Sequence, residues 1–335
     1  MKVDIGFAGD LATAGREAAE AEAAGFDGWL TAETSHDPFL PLVLAADRTE
    51  RIEIGTSIAV AFARNPMLLA NIGWDLQALS GGRFVLGLGS QIKPHITKRF
   101  SMPWSDPAAR MQEMIEAVRA IWASWNGGER LAFRGRYYRH VLMTPMFDPG
   151  PNPHGDPRIL LAGVGPLMTR MAGRVADGFV SHAFQTPDHL SEVTLPAIEA
   201  GLEQSGRDRA GFEMAMPVLV VSGSTERRVA ALDASVRRQI AFYGSTPAYR
   251  PVLEHHGWGE VGDELNRLSR QGRWDDMAGV VDDEILHAFA VVAEPTEVAG
   301  AICERFGGLL DRIQIAADAH QGWLSPDVLA EIGGI

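Results

Sequence analysis

Residue types able to move protons or hold anions are grouped, in this chain, just after short apolar runs. Glu33 and His36 follow the run GWLTA, and His182 follows ADGFVS. A carboxylate or imidazole at the mouth of a fold can be tuned toward neutrality and act as a general acid or base. For His36 a hydrogen bond within a turn is an equally available role. The segment LLAGVGPLMTRMAG has the form strand, Gly-x-Gly, helix start, with Gly163, Val164, Gly165 and Pro166 at the junction. Glycines there let backbone N–H groups approach a phosphate, and the helix N-terminus adds a favourable dipole. The same two glycines could instead serve only a tight turn. The loop QIKPHITKRFSMPW carries Lys93, His95, Lys98 and Arg99, a dense cationic group for a chain of net charge −13. It could receive an anionic cofactor tail or substrate, or its charges could pair with surface carboxylates.

Other chemistries lack their residues. No H-x-H, H-E-x-x-H or cysteine cluster occurs, so no metal is expected. His255 and His256 are adjacent and would point to different faces of a helix. No G-x-S-x-G occurs, and Ser181 beside His182 reads as a strand end. GLGSQI at 87–92 fails the dinucleotide fingerprint, because Ile92 stands where the third glycine is needed. The single cysteine, Cys303, excludes an intrachain disulfide, points to a reducing compartment and reads as a small core hydrophobe. With 30 Lys and Arg against 43 Asp and Glu, a nucleic-acid or anionic-membrane partner is not expected. No apolar run approaches the ~20 residues of a membrane span. The expectation is a soluble, cytoplasmic protein acting on a small-molecule substrate.

These residues need elements to position them, and the chain supplies a regular alternation. Val3–Ala8 reads as a strand and residues 12–24 as an Ala- and Glu-rich helix closed by Gly25. Gly28–Ala32 is the second strand. Asp37 and Pro38 suit an N-cap and first helical position, opening a helix to about Asp47. Strands follow at Ile54–Ala61, Phe84–Gly89, Arg158–Ala162, in ADGFVSHAF, at Glu213–Val221 and at Arg312–Ala316. Helices are expected over Pro66–Leu79, from the Asp106–Pro107 cap to about Trp125, and over Pro166–Val175. Three more run from the Thr186–Pro187 cap to about Ser205, over Glu226–Phe242 and over Pro295–Phe306. Residues 126–157 look like a hairpin or irregular excursion in which Tyr137, Tyr138, Met143, Met146 and Phe147 must pack, and 244–290 a mainly helical insertion. Eight strand–helix alternations without a linker favour a closed (β/α)8 TIM barrel, a single domain over 1–335, with insertions after its fourth and seventh helices. The candidate residues then all lie at the carboxyl ends of strands, where barrels place chemistry.

IGTSIAVAFARNP, then SGGRFVLGLGSQ, then LLAGVGP…AGRVADGFVSH together resemble the bacterial luciferase-like superfamily, and most closely its deazaflavin (coenzyme F420)-dependent oxidoreductases. The resemblance covers roughly residues 1–240 plus the last helix and strand. It implies a flavin or deazaflavin ring at the barrel mouth, supported by a non-prolyl cis peptide at Ser57–Ile58 with Ala59 beside it. Gly163–Pro166 would take the cofactor phosphate, and Gly89, Ser90, Gln91, Ser181 and His182 would lie beside cofactor or substrate. The sugar-phosphate dehydrogenase branch carries an acidic–His pair after strand two and a Glu after strand four. Here those places read Glu33–Thr34 and Gln91–Ile92, so Glu33 or His36 would have to substitute. Three readings follow: an F420-dependent oxidoreductase, a reduced-FMN monooxygenase, or a non-catalytic flavin-binding barrel. The apolar helices Leu40–Ala46 and Met67–Leu79 could form a homodimer interface, as relatives commonly do.

Overall fold

Short runs of Ile, Val, Leu and Phe bounded by glycine can be buried on both faces only in a parallel sheet covered by helices. The computed structural model describes residues 1–315 and 324–334 and shows that arrangement. Eight barrel strands run as β1 (Lys2–Phe7), β2 (Gly28–Thr31), β3 (Glu53–Thr56), β4 (Phe84–Gly89), β5 (Arg158–Ala162), β6 (Gly178–Val180), β7 (Glu213–Pro217) and β8 (Arg312–Ile315). All pair in parallel with their sequence neighbours, and β8 closes on β1 through Lys2↔Arg312 to Ile5↔Ile315. The helices between them are α1 (Ala14–Ala24), α2 (Leu40–Arg48), α3 (Pro66–Leu79), α4 (Pro107–Gly127), α5 (Pro166–Val175), α6 (Leu195–Gln204), α7 (Glu226–Gly244) and α8 (Val298–Phe306). The fold is thus the expected TIM barrel. Ala316, placed at the end of the last strand, lies outside the described residues.

Several local expectations need correction. α2 starts at Leu40, not Pro38, because the Asp37 carboxylate caps a turn by accepting from the N–H groups of Phe39 (2.8 Å) and Leu40 (3.3 Å). Asp106 stands at the N-cap of α4 but makes no capping bond; its carboxylate accepts from the Tyr137 hydroxyl instead. The third strand breaks after Thr56 and resumes as Ala59–Val60. The seventh ends at Pro217, and Leu219–Val221 leaves the barrel to pair with Ala290–Val292.

The first insertion contains a hairpin, Phe133–Arg134 against Arg139–His140. Tyr138 and Met143 pack on the main core, whereas Met146 and Phe147 are exposed rather than packed. The second insertion is mainly helical, as Arg250–His255, Gly259–Arg270 and Asp283–Phe289, and buries its own apolar cluster around Leu253, Leu265 and Phe289. Cys303 is partly buried against the main core. No helix among the described residues is long and apolar enough to cross a membrane.

The amino-terminal end of the barrel is closed by charge. Lys2, Glu53, Arg158 and Glu213 begin β1, β3, β5 and β7, one from each alternate strand and alternating in sign. Glu53 lies 2.7 Å from Lys2 and 2.8 Å from Arg158, and Glu213 lies 3.0 Å from Arg158. Arg312 sits above them, buried, bonding Glu53 and Glu213 and approaching Asp4 to 2.9 Å. Burial pushes the Asp4 carboxyl up to about 7, only partly offset by Arg312. Burial also opposes ionisation of Glu53, but Arg312, Arg158 and Lys2 outweigh it and hold that carboxyl at about 2.

Candidate functional site

Strand register brings the candidate loops side by side at the carboxyl end. Val60 aligns with Gly89, Gly89 with Ala162 and Ala162 with Val180. The segments after them, starting at Ala61, Ser90, Gly163 and Ser181, therefore leave the barrel at one level. The chain between Thr56 and Ala59 bulges from the wall, and its Ser57–Ile58 peptide bond is cis. Ser57 N–H donates to Thr31 O at 2.7 Å and its hydroxyl to Gln314 Oε1 at 2.7 Å, tying the bulge to β2 and β8. Gly89 makes room for it, because a Cβ there would meet Ile58 Cδ1 at 2.7 Å. Gln91 follows with a φ of +57°, a left-handed conformation uncommon for a non-glycine residue, and its side chain turns back to accept from Ile92 N–H.

At the next strand end, Gly165 adopts a φ of +82°, and Pro166 occupies the first turn of α5, where its missing N–H costs nothing. Thr169 returns its N–H and hydroxyl to Gly165 O, while the N–H groups of Leu167 and Met168 have no intrahelical acceptor and point outward from the helix start. One cavity is lined by Gly163–Pro166, Ser181, His182, Gln185 and Tyr249. His182 Nδ1 accepts from Phe184 N–H at 3.0 Å, so the neutral ring carries its proton on Nε2. The ring stacks on Tyr249, centroids 4.4 Å apart, and meets the edge of Tyr243 at 4.5 Å. Burial pushes His182 down to about 4 and the Tyr249 phenol up to about 12, so both are neutral hydrogen-bonding groups at pH 7.

Deeper in the same cavity Gln185 donates to Thr194 Oγ1 at 2.8 Å. Gln185 Oε1 and His189 Nδ1 are buried and have no hydrogen-bond partner among the described residues. Burial, with His255 and His256 nearby, brings His189 to about 4. A helix start with free N–H groups and a glycine-built approach suit the phosphate end of a ring cofactor, whereas the unpaired Gln185 Oε1, an acceptor only, is suited to a donor group of a ligand.

The sequence candidates fall into three groups. Gly163, Val164, Gly165, Pro166, Ser181 and His182 share the cavity. Ser57, Ile58, Ala59, Gly89, Ser90 and Gln91 form the adjoining wall, connected by the register above. Glu33 lies beside that wall, held by Val60 N–H and Arg64. His36, Lys93 and His95 are exposed and stand apart from the cavity lining. Lys98 is exposed too, while Arg99 donates to Thr34 O and lies over the Phe100 ring, joining the loops after β4 and β2. None of the described ion pairs includes Lys93, His95, Lys98 or Arg99. Among the described residues no group of His, Cys, Asp and Glu could hold a metal. Sequence reasoning placed Gln185 at the end of the candidate segment Ser181–Gln185 but gave it no role, and it missed Tyr249. The fold-back of the second insertion brings Tyr249 to the cavity, and no local pattern announces it.

Comparison with known proteins agrees with this geometry. The family model for luciferase-like monooxygenases matches residues 3–312. An uncharacterized protein of Mycobacterium tuberculosis is 54% identical over 313 residues, covering 93% of this chain and 92% of its own length. The F420-dependent glucose-6-phosphate dehydrogenase of Intrasporangium calvum is 33% identical over 277 residues, 80% of this chain and 75% of that one. Among solved structures, the coenzyme F420-dependent tetrahydromethanopterin reductase of Methanopyrus kandleri superposes with a TM-score of 0.79 at 22% identity, covering 99% of this chain and 97% of the other.

Proposed function

The chain belongs to the luciferase-like monooxygenase family and is an oxidoreductase, and on that premise we propose that it uses coenzyme F420 to exchange a hydride with a small organic substrate. The observation that carries this reading is the single cavity joining the start of α5 to Ser181 and His182, next to the Ser57–Ala59 wall. Gly163–Pro166 and the first N–H groups of α5 would hold the cofactor phosphate, and the bulge at Ser57–Ala59 would stand behind the ring. The deazaflavin supplies hydride chemistry; the protein supplies orientation and exclusion of water. His182, neutral at pH 7, would donate a hydrogen bond from Nε2, and Tyr249 would cover the cavity from the second insertion. The exposed Lys93 and Lys98 in the loop after β4 would suit an anionic tail beyond the phosphate, which favours F420 over FMN.

The places that carry a His and a Glu in the sugar-phosphate dehydrogenases hold Thr34 and Gln91 here, which supports a substrate other than a sugar phosphate. Leu40, Val43 and Leu44 of α2 and Leu68 and Leu79 of α3 are exposed, and this face would pair two copies into a homodimer. The test is a fluorescence titration of the protein with F420 and, separately, with FMN. F420 is expected to bind and FMN to bind more weakly. Tight FMN binding without F420 binding would replace this reading with the reduced-FMN monooxygenase, and binding of neither would leave a barrel without this cofactor chemistry.

A further inference from the structure

Glu33 was a candidate acid or base, yet its surroundings give it other work. Its side chain is only 6% exposed, and Oε2 accepts from Val60 N–H at 2.7 Å and from Arg64 Nη1 at 2.5 Å. Arg64 Nη1 also donates to Val60 O at 3.2 Å, so one ion pair holds both backbone groups of Val60. The backbone N–H of Glu33 donates to Ile58 O at 3.1 Å. The second Arg64 nitrogen reaches Asp37 at 3.0 Å, and the guanidinium lies 5.1 Å above the Phe39 ring. Every one of these contacts links the loop after β2, or Arg64 itself, to the Ile58–Val60 segment or to another part of the same cluster. Charge-assisted bonds with little water access are the strong ones, and a guanidinium fork fixes direction as well as distance.

We propose that Glu33 and Arg64 form an ionic clamp that fixes the Ile58–Val60 segment at the wall of the cofactor site, making Glu33 a positioning residue rather than a proton carrier. The identity of what the wall supports rests on the function proposed above; the clamp itself does not. Glu33→Gln keeps an acceptor for Val60 N–H and loses the charge. Glu33→Ala loses both, and Arg64→Met removes the other partner.

Two measurements on the full chain test this. In the cofactor-free protein, amide exchange across residues 57–64 is expected to quicken at least about tenfold in Glu33→Ala and Arg64→Met, and by a smaller factor in Glu33→Gln, which keeps the acceptor but not the charge. In fluorescence titrations with whichever of F420 or FMN the wild type binds, Kd is expected to rise about 10- to 100-fold in Glu33→Ala and in Arg64→Met, as for a lost bond to a charged group. The Gln variant should lie between Glu33→Ala and wild type, and the double variant Glu33→Ala/Arg64→Met should bind no worse than either single. Should Glu33→Ala not fold, Arg64→Lys, which keeps charge but not the fork, is expected to give an intermediate exchange rate. Unchanged exchange in the clamp variants overturns the proposal. So does a Gln variant with wild-type exchange and Kd, which would show that the charge of Glu33 holds nothing. If the wild type binds neither cofactor, the proposed function fails while the exchange data still decide the clamp.

Discussion

The two ends of this barrel handle polar groups in opposite ways. At the amino-terminal floor, Lys2, Glu53, Arg158, Glu213 and Arg312 spend their charges on one another. At the carboxyl-terminal mouth the cavity holds neutral groups whose bonding capacity is left open: His182 Nε2, Gln185 Oε1, His189 Nδ1 and the first N–H groups of α5. The floor matches its ions with one another except at the buried Asp4 carboxyl and Arg312 Nε, which meet at 2.9 Å without a hydrogen bond, whereas His182, Gln185 and His189 line a cavity. Closed networks of this kind report on folding, and open ones on function. Substitutions at the two ends should therefore separate stability from ligand affinity.

The largest effect is expected at the floor. Among the described residues Arg312 is the one cation that touches Asp4, Glu53 and Glu213 together, and it is 1% exposed. Arg312→Met leaves the buried Asp4 and the partly buried Glu53 and Glu213 beside an apolar side chain, and breaking a buried pair by removing one partner costs about 3–5 kcal/mol. Urea unfolding should show that loss. A loss below about 1 kcal/mol would mean that the floor is dispensable packing and the contrast between the ends is false.

The floor and the mouth should also respond to pH with opposite signs. Asp4 has a folded pKa raised to about 7, so its contribution is present below the unfolded value near 4 and is lost as pH rises through about 7. His182 and His189 have folded values lowered to about 4, so their contribution is present above 6.5 and is lost as pH falls toward 4. Comparing wild type with Asp4→Asn cancels the histidine part. The stability difference, wild type minus variant, should fall steadily from pH 5 to pH 8 and then level. A flat difference in urea midpoints across that range would show that Asp4 is ionised throughout in the folded protein.

How much of this contrast could be read from the sequence differs between the ends. Pro66–Leu79, Phe84–Gly89, Arg158–Ala162 and Pro166–Val175 appear in the structure with the bounds their patterns suggested, because caps, prolines and glycines mark them locally. At the mouth, Gly163–Pro166 is a contiguous glycine motif of the same local kind, whereas the Ser57–Ile58 bulge was indicated only by the family resemblance. The floor was not legible. Lys2, Glu53, Arg158 and Glu213 are single polar residues at strand starts, far apart in the chain, and only the register shows that they meet. The exit at Pro217 was missed because MAMPVLVV reads as one apolar run. Its break depends on Val218 N–H bonding Gln314 O on the last strand, a partner nearly a hundred residues away. Arg64 lies in the candidate segment Phe62–Pro66 but was given no role there, because its role depends on Glu33 and Asp37 across a different loop.

The smallest change in stability, and the clearest break between the two ends, is expected at Val164. Gly163 is unsuited to the experiment, since a Cβ there would strike Met168 and confuse packing with binding. Val164 is 42% exposed and lies two residues before Pro166, so Val164→Asp removes little packing. A carboxylate at the start of α5 also interacts favourably with the helix dipole, by about 0.3–1 kcal/mol. Folding should thus be unchanged or slightly stabilised. The same carboxylate competes with a cofactor phosphate for the free N–H groups and repels it. At a separation on the order of 6 Å and an effective dielectric near 20 that repulsion is about 3 kcal/mol, roughly a 100-fold loss of affinity. A fluorescence titration beside a thermal melt would measure both quantities in one variant. Equal cofactor affinity in wild type and variant would remove the phosphate from the start of α5. A large fall in melting temperature would mean that the mouth, like the floor, is needed for folding, and that its open valences are no guide to function.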